Sequence, residues 1–119
     1  NRYECDHINT LADGMKVATE IGAPNLKLLA DTFHMNIEEV DLAGSLRAAG
    51  PWIGHVHLAD TNRQAPGHGH LDVAGVLAAL AEIGYHGYLC FEVFPLPDAR
   101  QAVKDGIRAI RAAIGGGTS

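Results

Sequence analysis

Ile53-Gly54-His55-Val56-His57-Leu58 is the stretch that decides the fold. It lies between Gly50-Pro51, which closes a helical pattern, and a polar loop over residues 59–70 that is rich in turn formers. We therefore expect a β-strand over Ile53–Leu58. Because side chains alternate along a strand, His55 and His57 lie on one face. His57 is nearer the carboxyl end of the strand, and His55, two residues deeper, is expected to pack beside it or support it.

The same order of strand, polar turn and helix recurs on both sides of this strand. Upstream, an apolar run predicts a strand over Leu26–Ala30, and a helix is expected from about Ile37 to Ala49 with Asn36 as its cap. Apolar spacing and end signals predict the remaining elements: helices over Thr10–Ile21, Val73–Ile83 and Asp98–Ile114, and a strand over Tyr88–Phe94. Strands alternating with helices of this length indicate parallel βαβ units.

A polar residue stands at the carboxyl end of each predicted strand, and Asn1-Arg2-Tyr3-Glu4 is expected to end a strand as well. These residues are Glu4, Asp31, His57 and Glu92, each about one βα unit after the last. Strand ends that converge on one face are typical of a (β/α)₈ barrel, which takes about 250 residues. We therefore predict an α/β fold in which residues 1–119 form four βα units, strands 5–8. They would be the C-terminal half of a TIM barrel, with the N-terminal half absent from this chain.

The composition excludes several classes of function. The 119 residues are 47% hydrophobic and 19% charged, which suits one modest core. No apolar run approaches the roughly 18 residues of a membrane span, and nine basic against fourteen acidic residues argue against a nucleic-acid partner. Cys5 and Cys90 provide no disulfide framework and are typical of a reducing compartment. We expect a cytoplasmic protein that binds neither membrane nor nucleic acid.

Asp31, His57 and Glu92 form the central candidate site. Two carboxylates and an imidazole suit a divalent cation such as Mn²⁺, Mg²⁺ or Co²⁺, and such an ion explains charged groups at the ends of buried strands. Taken singly, the two carboxylates could cap neighbouring loops and His57 could be a satisfied core histidine. Three such residues at corresponding strand ends favour a site. A zinc site that adds His68 and His70 is disfavoured because their loop is long and irregular.

Three further residues are candidates for contact with a substrate. Glu4 could bind a substrate hydroxyl or could pair with Arg2, which lies two positions earlier. His34 could donate a hydrogen bond to a substrate oxygen or to the backbone. Arg63, in the loop after the central strand, could clamp an oxygen or carboxylate, or could be a solvated loop arginine.

In the segments given below, the chain resembles the xylose-isomerase-like sugar isomerase/epimerase superfamily. It is most similar to ketose 3-epimerases of the D-tagatose/D-psicose 3-epimerase kind, with details that resemble 5-keto-L-gluconate epimerase. The resemblance covers nearly the whole chain in order, and the run over residues 31–39 is its most specific part. The matching segments are Asn1–Glu4, Leu29–Glu39, His55–His57, Ala59–Arg63, Pro66–His70, Glu82–Tyr85, Glu92 and Phe94–Pro97.

The resemblance implies a divalent-metal-dependent epimerase of a non-phosphorylated keto sugar or keto sugar acid. We expect glutamates to remove and return the C3 proton through an enediolate. The site residues it implies are metal ligands Asp31, His57 and Glu92, catalytic Glu92, and substrate-binding Glu4, His34 and Arg63. It also implies Mn²⁺, or alternatively Mg²⁺ or Co²⁺, and a homo-oligomer of the full-length protein.

The chain departs from the family pattern at one position. The family's other catalytic glutamate, also a metal ligand, lies just upstream of the segment that matches Asn1–Glu4, before the first residue of this sequence. That departure leaves a non-catalytic half-barrel as one alternative. An aldose–ketose isomerase of the hydroxypyruvate isomerase kind is another, because it uses the same groups. A DNA-repair endonuclease of the superfamily is disfavoured by the acidic balance.

Overall fold

Helices and strands alternate along residues 1–116, the part of the chain that this computed structural model describes; residues 117–119 lie outside it. A 3₁₀ turn over Gly50–Trp52 leads into the central strand. The other elements, in chain order, are α1 (Leu11–Ile21), β1 (Leu28–Asp31), α2 (Thr32–Glu38), α3 (Leu42–Ala49), β2 (Ile53–Leu58), α4 (Val73–Glu82), β3 (Leu89–Phe91) and α5 (Ala99–Gly115).

The three strands form a parallel sheet in the order β1-β2-β3. In its register Asp31 lies beside His57, and His57 lies beside Cys90. Glu92 follows β3 directly, so the carboxyl ends of all three strands meet at one edge. Parallel strands with crossover helices confirm the predicted α/β class and have the arrangement expected of part of a TIM barrel. Within residues 1–116, no helix is both long enough and apolar enough to cross a membrane.

The helices cover one face of the sheet and leave the other partly open. Val56 and Leu58, which point toward the helices, are fully buried. His55 and His57 lie on the opposite, partly exposed face, as predicted, with their rings in edge contact. Helix α5 approaches β3 closely at Gly106, where an added Cβ would lie 2.6 Å from the ring of Phe91. The open face is therefore where side chains are available for function.

The predicted strand at the start of the chain is wrong. Residues 2–4 form a turn, in which the backbone N–H groups of Glu4 and Cys5 both donate to the carbonyl of Asn1. A short strand is stable only with the hydrogen bonds of a neighbouring strand, and here the backbone groups are satisfied locally instead. The described part of the chain thus holds three of the four predicted strands.

The predicted helix from Ile37 to Ala49 is two helices, α2 and α3. Their caps are Asp31 and Asp41, not Asn36; the Asp41 carboxylate accepts from the backbone N–H of Gly44 at 2.9 Å. The chain is extended at Glu39, whose carboxylate accepts from the Leu11 backbone N–H at 2.8 Å and the Ser45 hydroxyl at 2.7 Å. These contacts with α1 and α3 break the helix, because they require Glu39 to leave the helical path.

The other predicted elements agree with the structure to within a few residues. Helices α1, α4 and α5 begin after the caps Thr10, Asp72 and Asp98, and α1 ends at Gly22 with φ 68°. Strands β1 and β3 are shorter than predicted, since β1 begins at Leu28 and β3 ends at Phe91. Cap chemistry is local, so it marks helix ends well, whereas strand ends depend on the pairing partner.

Candidate active site

The ends of the three strands bring Asp31, His57 and Glu92 into contact. Nδ1 of His57 lies 3.3 Å from Oδ2 of Asp31 and 3.3 Å from Oε2 of Glu92. The side chain of Asp31 is 9% exposed, that of His57 21% and that of Glu92 47%. The parallel register explains this contact. His57 in β2 has Asp31 of β1 beside it on one side and Cys90 of β3 on the other, and Glu92 follows Cys90 by two residues. The imidazole thus lies between two carboxylates at the rim of the open face.

Asp31 combines a capping role with a role in this cluster. Its Oδ1 accepts hydrogen bonds from the backbone N–H groups of Phe33 at 3.0 Å and His34 at 3.2 Å, which caps α2. Its Oδ2 faces His57. Asp31 can therefore both cap a helix and take part in the candidate site, because each role uses a different oxygen of the carboxylate.

Arg63 connects this cluster to Glu4. Its Nη2 donates to Oε1 of Glu92 at 3.3 Å and its Nη1 donates to Oε1 of Glu4 at 3.5 Å. The guanidinium also lies over the ring of Phe33, 4.9 Å from the centroid, in cation–π contact. Its side chain is 25% exposed, so the reading of Arg63 as a solvated loop residue is wrong. Arg63 is held between two carboxylates and an aromatic face.

Glu4 and His34 complete the cluster from the other side. Nε2 of His34 lies 4.0 Å from Oε2 of Glu4, and the side-chain amide of Asn1 lies 2.8 Å from Nδ1 of His34. Arg2 does not take up Glu4 but binds Glu38 at the end of α2. All six predicted site residues are thus joined in one series of contacts: Asp31, His57, Glu92, Arg63, Glu4 and His34.

A cleft of about 320 Å³ opens beside this series of contacts, and Asp31, His57, Glu92 and His34 line it. Asn9 also lines the cleft, and its Oδ1 is buried with no hydrogen-bond partner among the described residues. Asn9 directly precedes Thr10, which caps α1. Nothing in the local pattern could have placed it here, because the cleft forms between α1 and the strand ends.

His68, one of the histidines considered for zinc, lies apart from the cluster. Its Nε2 is 3.2 Å from Oδ2 of Asp105 on α5. The pKa of Asp105 lies below its ordinary value, chiefly because the Gln101 side chain donates to it, with smaller contributions from His68 and Arg108. His68 therefore takes part in an ion-pair network on the outer helix.

The donor chemistry of Asp31, His57 and Glu92 fits a divalent cation, although the described residues do not close a full shell. Within residues 1–116, no group of three or more His, Cys, Asp and Glu side chains is arranged to hold a metal ion. The two 3.3 Å separations at His57 are direct contacts between the imidazole and each carboxylate, so only the donor types support a cation here. Carboxylate and imidazole donors are those that Mn²⁺, Mg²⁺ and Co²⁺ accept.

Comparisons with known proteins agree with the resemblance seen in the sequence. A sequence model of the family described as "Xylose isomerase-like TIM barrel" matches residues 1–113. A D-psicose 3-epimerase of Ruminiclostridium cellulolyticum is 42% identical over 94 residues, which cover 79% of this chain and 32% of that protein. A 3-dehydro-D-guloside 4-epimerase of Escherichia coli is 38% identical over 112 residues, covering 93% of this chain and 43% of that protein.

Comparison with solved structures also finds sugar epimerases. A crystal structure of D-allulose 3-epimerase from Methylomonas sp. superposes with a TM-score of 0.87 at 34% identity, covering 95% of this chain and 46% of that one. The chain thus spans 32–46% of the length of these relatives.

Proposed function

Because the chain belongs to the xylose isomerase-like TIM barrel family, we propose that it is part of a sugar epimerase that inverts a carbon next to a ketone. The observation that carries this proposal is the continuous series of contacts from Asp31 through His57, Glu92 and Arg63 to Glu4 at the edge of one cleft. Such an arrangement places a half-exposed carboxylate beside several groups that can bind the oxygens of a sugar. The epimerases among its relatives support the same chemistry.

Glu92 is the proposed base. It follows β3 at the carboxyl end of the sheet, it is 47% exposed, and its two oxygens contact different partners, His57 and Arg63. A carboxylate held in this way can take the proton from the carbon next to the ketone while the electron pair moves toward the carbonyl oxygen. Return of a proton to the opposite face of that carbon then inverts its configuration.

Arg63 and His34 are the proposed donors to substrate oxygens. The guanidinium and imidazole both border the open face, where they can hydrogen-bond oxygens that gain negative charge when the proton leaves. Glu4, on their outer side, is the proposed acceptor for a substrate hydroxyl. Asp31, His57 and Glu92 would hold a divalent cation, which when bound supplies Lewis-acid polarisation of the carbonyl. Mn²⁺ is the proposed ion, with Mg²⁺ and Co²⁺ as alternatives.

The charge of the cluster favours a substrate without phosphate. The cluster contains three carboxylates, those of Glu4, Asp31 and Glu92, and one guanidinium, that of Arg63, which is shared between Glu4 and Glu92. With a divalent cation at the three ligands these charges cancel, and among the described residues no further arginine or lysine contacts the cluster to bind a phosphate dianion. A neutral keto sugar needs no such cationic group, and the single carboxylate of a keto sugar acid needs fewer than a phosphate does.

Two positions of inversion are consistent with these groups. A 2-ketose would be inverted at C3, as the relatives named 3-epimerases suggest. A sugar oxidised at C3 would be inverted at C4, which the E. coli relative favours because its alignment covers 93% of this chain rather than 79%. The proton removed lies next to a ketone in both cases. We propose inversion at C3 and keep the second as the alternative.

The proposed enzyme needs a second proton-carrying group on the opposite side of the substrate. We propose that residues 1–119 are the C-terminal half of its barrel and that the other half supplies this group. A homo-oligomeric, cytoplasmic enzyme stays a prediction.

The experiment that tests this function is proton exchange in the full-length protein. Ketoses and 3-keto glycosides are incubated in D₂O with added Mn²⁺, and NMR identifies the carbon that takes up deuterium and the epimer formed. We expect exchange at C3 of a 2-ketose and its loss in Glu92→Gln. Glu82→Gln, which removes a carboxylate paired with Arg47 on the outer helices, is the matched control and should leave exchange intact. Unchanged exchange in Glu92→Gln would contradict the assignment of the base.

A further inference from the structure

Asp60 is the most buried carboxylate that the proposed chemistry does not use. Its residue is 0% exposed, and it follows β2 by two positions. The carboxylate accepts backbone hydrogen bonds from Thr61 at 2.7 Å, Gly67 at 2.7 Å and Leu71 at 3.0 Å. The Asp60 side chain therefore binds both ends and the middle of the loop over residues 61–71.

The loop is built around this carboxylate. Burial raises the pKa of Asp60, but the backbone N–H donors of Leu71, Thr61, Gly69 and Gly67 together outweigh burial, so its pKa lies below the ordinary value. Gly69 is necessary at its position because an added Cβ would collide with the Asp60 carboxylate and lie 2.5 Å from the Thr61 hydroxyl. A buried ionised carboxylate is thus satisfied entirely by its own loop and its neighbours.

The same loop carries Arg63 in a constrained conformation. The Arg63 backbone N–H donates to the carbonyl of Asp60 at 2.9 Å, and the Asp60 N–H donates to the carbonyl of Gln64 at 3.0 Å, which closes a tight turn. Arg63 has φ 60° within that turn, a left-handed conformation that a non-glycine residue adopts at a cost. The Arg63 carbonyl in turn accepts from the N–H of Phe94 at 2.7 Å, two residues after Glu92.

We propose that Asp60 is a positioning residue that holds Arg63 in its left-handed turn, and so keeps the guanidinium between Glu4 and Glu92. When asparagine replaces Asp60, an NH₂ donor takes the place of one acceptor oxygen and the negative charge is lost, so the loop is held less firmly and the turn relaxes toward a conformation with negative φ. The guanidinium then leaves the two glutamates. This inference rests on the proposed function for its catalytic consequence, but the anchoring of Arg63 is independent of it.

The test compares Asp60→Asn, Arg63→Ala and the double variant in the full-length protein. We expect Asp60→Asn to lower kcat/KM for epimerisation by about 10- to 100-fold, as misplaced site groups do. In the Arg63→Ala background the same change should have little further effect, because the group that Asp60 positions is gone. A purely structural role would lower kcat/KM equally in both backgrounds. Asp41→Asn, which weakens the cap of α3 away from the cluster, is the matched control and should leave kcat/KM unchanged.

A second measurement does not depend on activity. Trypsin cleaves after arginine, so the rate of cleavage between Arg63 and Gln64 reports how often the turn opens. Asp60→Asn should raise this rate by about 10-fold or more relative to cleavage after Arg100 in α5. If Asp60→Asn fails to fold, Gly69→Ala disturbs the same carboxylate while keeping its charge and should produce the same shift.

The kinetic and proteolysis results each decide whether Asp60 positions Arg63. Parental cleavage after Arg63 in a folded variant, or additive losses in the double variant, would overturn it. A parent protein without epimerase activity would refute the proposed function and the catalytic consequence together, while the cleavage rates would still decide whether Asp60 anchors Arg63.

Discussion

Arg2 binds Glu38, and this pair leaves Glu4 free to meet Arg63. The guanidinium Nη2 lies 2.7 Å from Oε2 of Glu38, and the Arg2 backbone N–H donates to Oε1 at 2.6 Å. The Glu38 side chain is only 1% exposed. Because Glu38 ends the helix that begins beside Asp31, the pair ties the turn that carries Glu4 to the helix that carries His34.

The Arg2–Glu38 pair makes stability depend on pH. The hydrogen bonds from the Arg2 side chain and backbone lower the pKa of Glu38 from 4.5 to about 2. A lowered folded-state pKa means that the stabilisation is fully present above pH 4.5 and is lost as the pH falls toward 2. We therefore expect Arg2→Gln to reduce the free energy of unfolding at pH 7, and the difference from the parent to shrink steadily below pH 4.5. Urea unfolding at pH 7, 4 and 3 measures this.

The control for this pair is Arg47→Gln. In the first pair Arg2 is 60% exposed but Glu38 only 1%, whereas Arg47 and Glu82 are 43% and 55% exposed. Solvent therefore screens both charges of the second pair, and its loss should be smaller. An Arg2→Gln effect that is independent of pH, or smaller than that of Arg47→Gln, would contradict the role given to the buried carboxylate.

Arg63→Lys tests whether the shape of the guanidinium matters as well as its charge. Lysine keeps the charge but cannot donate to Glu4 and Glu92 together through a planar fork, and it stacks less well on Phe33. We expect kcat/KM to fall by about 10- to 100-fold with the fold intact by circular dichroism. Arg111→Lys, at an exposed position of α5, should have no effect. Parental kinetics in Arg63→Lys would show that charge alone suffices.

Metal binding by the proposed ligands can be separated from helix capping at Asp31. Asp31→Asn keeps a side-chain oxygen that can accept from Phe33 and His34 but removes the negative charge that faces His57. In the full-length protein we expect Mn²⁺ at 100 times its Kd to stabilise the parent by about 2.7 kcal/mol. The variant should lose most of this shift, and a chelator should reverse it in the parent. An equal shift in both proteins would place the ion elsewhere.

Thr32 provides a test of the packing beneath the site. Its fully buried hydroxyl donates to the carbonyl of Ala59 at 2.6 Å and accepts from the Ala59 N–H at 2.9 Å, which joins α2 to the end of β2. Thr32→Val keeps the shape but leaves both backbone groups unsatisfied, so we expect a loss of about 2–4 kcal/mol. Thr32→Ser keeps the hydroxyl and loses one methyl, at about 1 kcal/mol. Chemical denaturation that finds Ser as costly as Val would contradict the role of these two hydrogen bonds.

The parts of this protein that its sequence predicts are those with local causes. The Thr10 hydroxyl and the carboxylates of Asp72 and Asp98 mark helix starts, because each cap accepts from a backbone N–H three residues further along the chain. The alternation along β2 places His55 and His57 on one face for the same reason. Asp31, His57 and Glu92 could be grouped because parallel strands joined by helices must bring their carboxyl ends to one edge.

Tertiary structure alone decided which charged groups pair. From sequence, Arg2 was as near to Glu4 as any partner, yet it binds Glu38, 36 residues away. Glu39 breaks a helix that its own neighbours would continue, because Leu11 and Ser45 offer donors outside the helical path. Such choices depend on which side chains packing brings together and removes from water, since burial makes an unpaired charge costly. Local sequence carries no record of those distances, so it predicted which residues lie near the strand ends but not which contacts hold them.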